Sequence, residues 1–99
     1  MVRINWTFQA KSDLKNIAEF ISKDSKLYAK RQVLKIRKRS EILKSHKYSG
    51  RKVPEIQNED IREIFEGNYR IIYKIVNKNR IDILTIHHAA RDFRKRKIQ

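Results

Sequence analysis

Three apolar segments with strand-like alternation follow one another in the second half of the chain, and they constrain the fold more than any other feature. They are IREIFE, YRIIYKIV and RIDILTIHH, at residues 61–66, 69–76 and 80–88. The connections between them, EGN and NKN, are short and polar, as in β-hairpins. Strands joined by consecutive hairpins run antiparallel, so this half of the chain is predicted to form a three-stranded meander.

The beginning of the chain is typical of a short strand followed by a helix. In VRINWT, Val2, Ile4 and Trp6 alternate with polar residues, which predicts a strand with one buried face. Thr7 can cap the helix that follows. The apolar stripe of that helix consists of Ala10, Leu14, Ile17, Ala18 and Ile21. The polar positions expected to face water are Lys11, Asp13, Lys15 and Glu19.

A second helix is predicted from about Lys26 to Ser45, after the break SKDS, in which Asp24 or Ser25 can provide the cap. Its core-facing positions are Ala29, Val33, Ile36, Ser40 and Leu43. Most of its other positions carry Lys or Arg, so the helix can pack by one side and present charge with the other. The following YSGRKVPE contains Gly50 and Pro54 and is predicted to be a loop leading into the strands.

These segments together predict an α+β fold in one domain over residues 1–99, with 91–99 as a basic C-terminal tail. A chain of 99 residues has the usual size of one domain. The first strand would join the sheet of the meander, and the helical hairpin would cover one face of that sheet. The residues predicted to lie under the helices are Tyr69, Ile71, Tyr73 and Ile75. The other face would remain partly open.

The net charge of +14 is concentrated in two places. Residues 26–52 hold eleven Lys or Arg against one acid, and residues 91–99 hold five against one. Such clustering predicts a polyanionic partner, which can be RNA, DNA, anionic lipid or an acidic protein. The candidate nucleic-acid- or target-binding residues are Lys35, Arg37, Lys38, Arg39, Arg51, Lys52, Arg94, Lys95 and Arg96.

Several classes of protein fit the sequence poorly. There is no cysteine, so disulfides and thiolate zinc sites are excluded, which suits a reducing cytoplasm. Since neither a membrane-spanning run nor a signal-peptide core is apparent, a cytoplasmic location without membrane contact is expected.

His87 and His88 are adjacent in a predicted strand and therefore point to opposite faces, which argues against a shared metal. Each of them can be a buried structural histidine or an acid or base, because histidine titrates near neutral pH.

Taken in order, these motifs resemble the toxins of the RelE/ParE superfamily, the toxic components of bacterial type II toxin–antitoxin modules. The matching pieces are Trp6-Thr7, the pattern A..DL..I..FI over residues 10–21, GRKVPE at 50–55, IREIF at 61–65, YRIIY at 69–73 and ILTIHHAARD at 83–92. The resemblance implies a growth-inhibiting toxin, a cognate antitoxin protein as partner in a hetero-oligomer, and no cofactor or metal.

Within this superfamily the resemblance leaves two activities open. RelE-like toxins cut messenger RNA on the ribosome without a metal, whereas ParE-like toxins poison DNA gyrase and are not enzymes in the ordinary sense. The GR.VPE, YRIIY and H.AR pieces are closest to the ParE-like branch; the family histidine matches His88, with Arg91 three residues on. His87 stands where an apolar residue is usual. Phe93 stands near where RNA-cutting relatives often carry a tyrosine, and it lacks a hydroxyl to donate a proton. The gyrase target is therefore favoured.

RNA cleavage remains the alternative, and it would need cations at the phosphate and a general acid and base. Arg62, Arg70 and Arg91 are the candidate cations, and Glu55, His87 and His88 the candidate acids or bases. Each arginine also has an ordinary explanation. Arg62 can pair with Glu63 or Glu66, Arg70 can be an edge-strand solubiliser, and Arg91 can pair with Asp92.

Two further interpretations are compatible with the sequence. The basic central segment alone would suit a non-toxic nucleic-acid-binding module, such as a small ribosome-associated protein, whose binding depends strongly on salt. The unusual residue at His87 would suit a decayed toxin that keeps its fold and its antitoxin.

Overall fold

The computed structural model describes residues 2–89 and contains a five-stranded sheet with two helices. The elements are β1 (Arg3–Trp6), α1 (Phe8–Ser22), α2 (Lys26–Ser40), β2 (Arg51–Lys52), β3 (Ile61–Glu66), β4 (Tyr69–Asn77) and β5 (Arg80–His88). The strand order is β1-β5-β4-β3-β2; β1 runs parallel to β5 and the other pairs are antiparallel. The α+β class and the antiparallel meander are confirmed. The predicted tail at 91–99 lies outside the described residues.

The hairpin turns and helix caps follow the local sequence. Gly67 and Asn68 connect β3 to β4, and Gly67 adopts a left-handed φ of 56°, which suits glycine in a two-residue hairpin turn. The Thr7 hydroxyl accepts a hydrogen bond from the backbone N–H of Ala10, and the Ser25 hydroxyl accepts one from the backbone N–H of Tyr28. Both helices therefore begin at predicted caps.

The second helix is shorter than predicted. Regular α-helix ends at Ser40, and a 3₁₀ helix follows over Glu41–Lys44. The hydroxyl of Ser40 donates to the carbonyl of Arg37 at 2.7 Å, a local bond of the kind that competes with helical pairing. A tighter final turn is a common way for a helix to end.

Both helices pack on one face of the sheet. The main core there joins residues of the helical segment to alternating strand residues: Ala10, Leu14, Ile36, Leu43, Ile64, Ile71, Tyr73, Ile75, Ile81, Ile83 and Ile86. Tyr69 packs against this cluster and is half-buried. The face predicted for β4 is therefore confirmed.

Asp13 does not face water as predicted, since only 6% of its surface is exposed. Its carboxylate accepts a hydrogen bond from the Thr85 hydroxyl and another from the Ile86 N–H at 3.0 Å. Near these residues, the register of β5 against β4 shifts between the pairs Ile72–Thr85 and Tyr73–Ile83. Ile83 and Ile86 consequently share the helix-facing core, whereas strict alternation would separate them.

The other face of the sheet is partly covered by the chain between β2 and β3. A second cluster joins Val53 to Ile61, Ile72 and Leu84, with Ile56 packed against it. The segment predicted as a loop contains β2, which pairs Arg51 with Glu63 and Lys52 with Arg62 on β3. Two paired residues are too few to give a periodic signal, so the sequence predicted four strands.

None of the helices over residues 2–89 is long and apolar enough to cross a membrane.

Candidate functional site

A buried ion network lies beneath the segment between β2 and β3, with Arg70 at its centre. Arg70 projects from β4, and only 4% of its surface is exposed. Its Nη1 and Nη2 donate to the two carboxylate oxygens of Glu55 at 2.7 and 2.8 Å, and its Nε donates to Oε1 of Glu63 at 2.7 Å. The Glu63 side chain is completely buried, and its Oε2 accepts a hydrogen bond from Nε of Arg51 at 2.6 Å. Two guanidinium groups therefore neutralise two carboxylates.

The position of Arg70 follows from the strand order. β4 is the middle strand of five, so the interpretation of Arg70 as an edge-strand solubiliser is wrong. A charge enclosed at such a position needs paired, hydrogen-bonded partners. The hydrogen bond to Glu55 is the main reason that the pKa of Arg70 is raised above its ordinary value, and burial opposes this rise.

The two histidines at the end of β5 have different surroundings. His87 is the cross-strand neighbour of Arg70 and is 2% exposed, whereas His88 is exposed. The His88 ring meets the Tyr69 ring edge-on, with centroids 6.1 Å apart and planes at 77°. Burial raises the pKa of Tyr69, and the nearby Tyr28 adds to this effect. The strand thus places the two imidazoles on opposite faces, as its alternation predicts.

Arg62 lies away from this network. It points to the helix side of β3, where its Nη1 donates to the carbonyl of Gly50 at 3.0 Å. Its guanidinium carbon lies 5.3 Å from the centroid of the Tyr48 ring. The structure therefore brings Glu55, Arg70 and His87 together, and it places Arg62 and His88 on the other face. Arg91 lies outside the described residues.

The predicted basic surface is present on α2 and β2. Lys35, Arg37 and Lys38 are exposed, whereas Arg39 is half-buried and donates its Nε to the Phe65 carbonyl at 2.9 Å. The Arg37 guanidinium lies over the Trp6 ring, 5.4 Å from its centroid.

On β2, Arg51 lies 5.2 Å from the centroid of the Phe65 ring. Lys52 pairs with Glu59 at 3.1 Å, and this hydrogen bond lowers the pKa of Glu59. The predicted Arg94, Lys95 and Arg96 lie outside the described residues.

Two surface clefts adjoin these cations. One, of about 310 Å³, lies between α1 and α2 and is lined by Lys11, Leu14, Lys15, Ala18, Val33 and Arg37. The other, of about 390 Å³, lies between α2 and the end of β3 and is lined by Lys35, Lys38, Arg39, Ile42 and Glu66. Over residues 2–89, no three histidine, aspartate or glutamate side chains are grouped to hold a metal ion.

Glu63 is the site residue that the sequence reasoning missed, although a signal was available. The hairpin after Glu66 pairs Phe65 with Arg70 and Glu63 with Ile72. Glu63 and Arg70 therefore share one face at diagonal positions, where opposite charges attract. A carboxylate between apolar strand residues, with an arginine diagonally opposite it, predicts an ion pair across the two strands.

Comparisons with known proteins agree on the fold and on the family. A solved structure described as "Chromosomal ParDE TA system from P. aeruginosa" is similar, with a TM-score of 0.73 at 21% sequence identity. The similarity covers 89% of this chain and 96% of that chain. No curated protein sequence matches significantly. The model of the family described as "ParE toxin of type II toxin-antitoxin system, parDE" matches residues 4–93. This match reaches from β1 through β5, so the chain belongs to the ParE toxin family of type II toxin–antitoxin systems.

Proposed function

We propose that this chain is a growth-inhibiting toxin that acts on DNA gyrase in the bacterial cytoplasm. The observation that carries the choice of target is the enclosure of Arg70 by Glu55 and Glu63. Two of the groups best suited to cutting RNA are thereby engaged with each other inside the protein.

Cleavage of RNA without a metal needs a cation at the scissile phosphate and a free acid or base beside it. Arg70 is 4% exposed and binds both oxygens of Glu55, and His87 beside it is 2% exposed. A phosphate would have to break the ion network to reach them. Of the remaining candidates, Arg62 and His88 lie on the other face of the sheet, where His88 is exposed, and Arg91 lies outside the described residues. This separation supports a toxin that acts by binding rather than by cutting.

We also propose that an antitoxin covers the cleft between the helices. Its floor is formed by Leu14, Ala18 and Val33, and its rim carries Lys11, Lys15 and Arg37. An amphipathic segment with acidic residues would match both the apolar floor and the basic rim. The similar solved structure is described as a ParDE system, which supports a protein partner of this kind.

The exposed cations of α2 and β2 are the proposed contacts to the target. Arg51 also belongs to the ion network, because it donates to Glu63. The other cations of this surface lie outside that network. Gyrase works on DNA, so a surface of this charge suits a complex that contains nucleic acid.

Pulse-labelling after induction in a bacterial host tests the target. We expect thymidine incorporation to stall before amino-acid incorporation. A variant carrying Lys35→Ala and Lys38→Ala should be less toxic, while Lys23→Ala with Lys78→Ala, which removes equal charge from exposed positions outside α2 and β2, should stay more toxic than this variant. If amino-acid incorporation stops first, RNA cleavage is favoured, and Glu55, His87, His88, Arg62, Arg70 and Arg91 become the residues to mutate. Normal growth with soluble protein would favour a non-toxic nucleic-acid-binding module or a decayed toxin.

A further inference from the structure

Two arginines are stacked on partly exposed aromatic rings at the β2 edge of the sheet. The guanidinium carbon of Arg51 lies 5.2 Å from the centroid of Phe65, and that of Arg62 lies 5.3 Å from the centroid of Tyr48. Phe65 is 38% exposed and Tyr48 is 61% exposed. Flat apolar rings left open to water beside cations are typical of surfaces that bind aromatic, negatively charged ligands.

Internal hydrogen bonds hold both guanidinium groups in place. Arg51 donates Nε to the buried Glu63 at 2.6 Å, yet 60% of its side-chain surface remains exposed. Arg62 donates Nη1 to the carbonyl of Gly50 at 3.0 Å. A guanidinium that is already oriented loses little conformational freedom when a ligand stacks on it.

The cleft between α2 and β3 reaches the backbone of Phe65. Arg39 makes the connection, because it lines that cleft and donates to the Phe65 carbonyl at 2.9 Å. Lys35 and Lys38 line the same cleft. The Arg62–Tyr48 pair and the cleft lie on the helix side of β3, whereas the Arg51–Phe65 pair lies on the side that carries Glu63. Beyond the two-residue β2, the edge of β3 therefore carries rings and cations on both of its faces.

We infer that this edge surface binds single-stranded nucleic acid. Bases stack on aromatic rings and on guanidinium planes, and lysines neutralise the phosphates that follow. In a duplex the bases already stack on one another, so the rings of Phe65 and Tyr48 could not stack on them. An acidic peptide would neutralise the arginines and lysines, but its carboxylates would not stack on the aromatic rings as bases do. The inference goes beyond the proposed function, since it concerns contact with the nucleic acid itself and does not require gyrase.

The test measures binding of the purified full chain to fluorescently labelled oligonucleotides by anisotropy. The probes are a 20-nucleotide oligo(dT), an oligo(rU) of the same length and a 20-base-pair duplex, each titrated between 50 and 200 mM salt. We expect a single strand to bind more tightly than the duplex. A preference for dT or for rU would identify DNA or RNA as the ligand, and equal binding would support both.

Ring variants and charge variants should have different effects. Tyr48→Leu with Phe65→Leu keeps apolar bulk but removes the rings, and it should weaken binding to a single strand about 5-fold or more with an unchanged salt dependence. Lys35→Ala with Lys38→Ala should make the negative slope of log K against log salt shallower by about 1.4. Phe20→Leu with Lys23→Ala is the matched control, because it removes a cation–ring pair, 5.8 Å apart, from the C-terminal end of α1. It should weaken single-strand binding less than 2-fold.

The inference is overturned if the ring variant, folded by circular dichroism, binds both single strands as tightly as the native chain. Equal binding of duplex and single strands would overturn it as well. Displacement of the oligonucleotide by polyglutamate at equal charge concentration would assign the surface to an acidic protein instead. The assay contains no gyrase, so any of these results leaves the proposed target standing.

Discussion

Arg70 and Glu55 form a bidentate ion pair that ties the segment between β2 and β3 to the middle strand of the sheet. The two residues are 15 positions apart in the chain, and their charged groups meet at 2.7 and 2.8 Å. The pair lies against the completely buried Glu63 side chain and near the small apolar cluster of Val53, Ile72 and Leu84. The side chains that look suited to phosphate chemistry thus hold a covering segment in place.

Replacing Arg70 should be costly for the fold. Arg70→Met leaves the carboxylates of Glu55 and Glu63 without their shared guanidinium, so the free energy of unfolding should fall by about 3–5 kcal/mol. Arg80→Met is the control, because Arg80 pairs with Asp82 with 39% of its side chain exposed; it should cost less than about 1 kcal/mol. Urea unfolding followed by circular dichroism measures both. Similar losses for the two variants would contradict the structural role of the network.

Asp13 should contribute more to stability than its place in a helix suggests. Asp13→Ala removes the acceptor for the Thr85 hydroxyl and the Ile86 N–H, both buried, and should cost about 1–3 kcal/mol. Glu19→Ala, on the exposed side of α1, should change the free energy of unfolding by no more than about 0.5 kcal/mol. Denaturant titration of both variants tests this; an Asp13 variant as stable as the native chain would show that the buried bonds are unimportant.

Gly50 should tolerate no side chain. A Cβ at this position would lie 2.6 Å from the Glu63 carbonyl oxygen and equally close to the Tyr73 hydroxyl. We expect Gly50→Ala to lower the free energy of unfolding by about 1–3 kcal/mol, because backbone and a buried ring must both shift. Gly67→Asn is the control: its φ is 56°, which asparagine tolerates, and no atom lies within 4 Å of the added Cβ. Thermal unfolding should show a clear loss for the first variant only.

Tyr73 should make the fold sensitive to alkali. Burial raises the pKa of Tyr73 above its ordinary 10.0, although the hydrogen bond from Gly50 partly opposes this. The unfolded chain therefore loses this proton first as the pH rises, and the stability that Tyr73 provides is complete below pH 10 and lost above it. The raised pKa of Tyr69 acts in the same direction.

Tyr73→Phe isolates the contribution of the hydroxyl. It removes the acceptor for Gly50 N–H and the donor to the Lys47 carbonyl, so it should cost about 1–3 kcal/mol at neutral pH. Its stability should then decline less steeply above pH 10 than that of the native chain. Unfolding curves at several pH values between neutrality and 11 measure both effects.

Local features of the fold were predictable from the sequence, and features set by distant partners were not. Thr7 and Ser25 cap the helices because a cap needs only its own next three residues. The helical pattern predicts an exposed Asp13, because the partners that bury it lie 72 and 73 residues further along the chain. The register shift beside Thr85 likewise has no local signal, and it alone places Ile86 under the helices.

The candidate site shows the same limit. The sequence named Glu55, Arg70 and His87 among six candidates for RNA cleavage, and the structure brings these three residues to one place. Their arrangement depends on strand order, which puts β4 in the middle of the sheet, and on Glu63, which local charge patterning did not single out. Arg62 and Arg70 are both on strands of one hairpin, yet the pleat directs them to opposite faces.

Supercoiling of relaxed plasmid by purified gyrase, with and without this chain, tests the central claim most directly. We predict that the chain inhibits supercoiling in proportion to its concentration, that Lys35→Ala with Lys38→Ala weakens this inhibition, and that messenger RNA on isolated ribosomes stays intact. Undiminished supercoiling together with cleaved messenger RNA would contradict the account and would assign the chain to the RNA-cutting toxins.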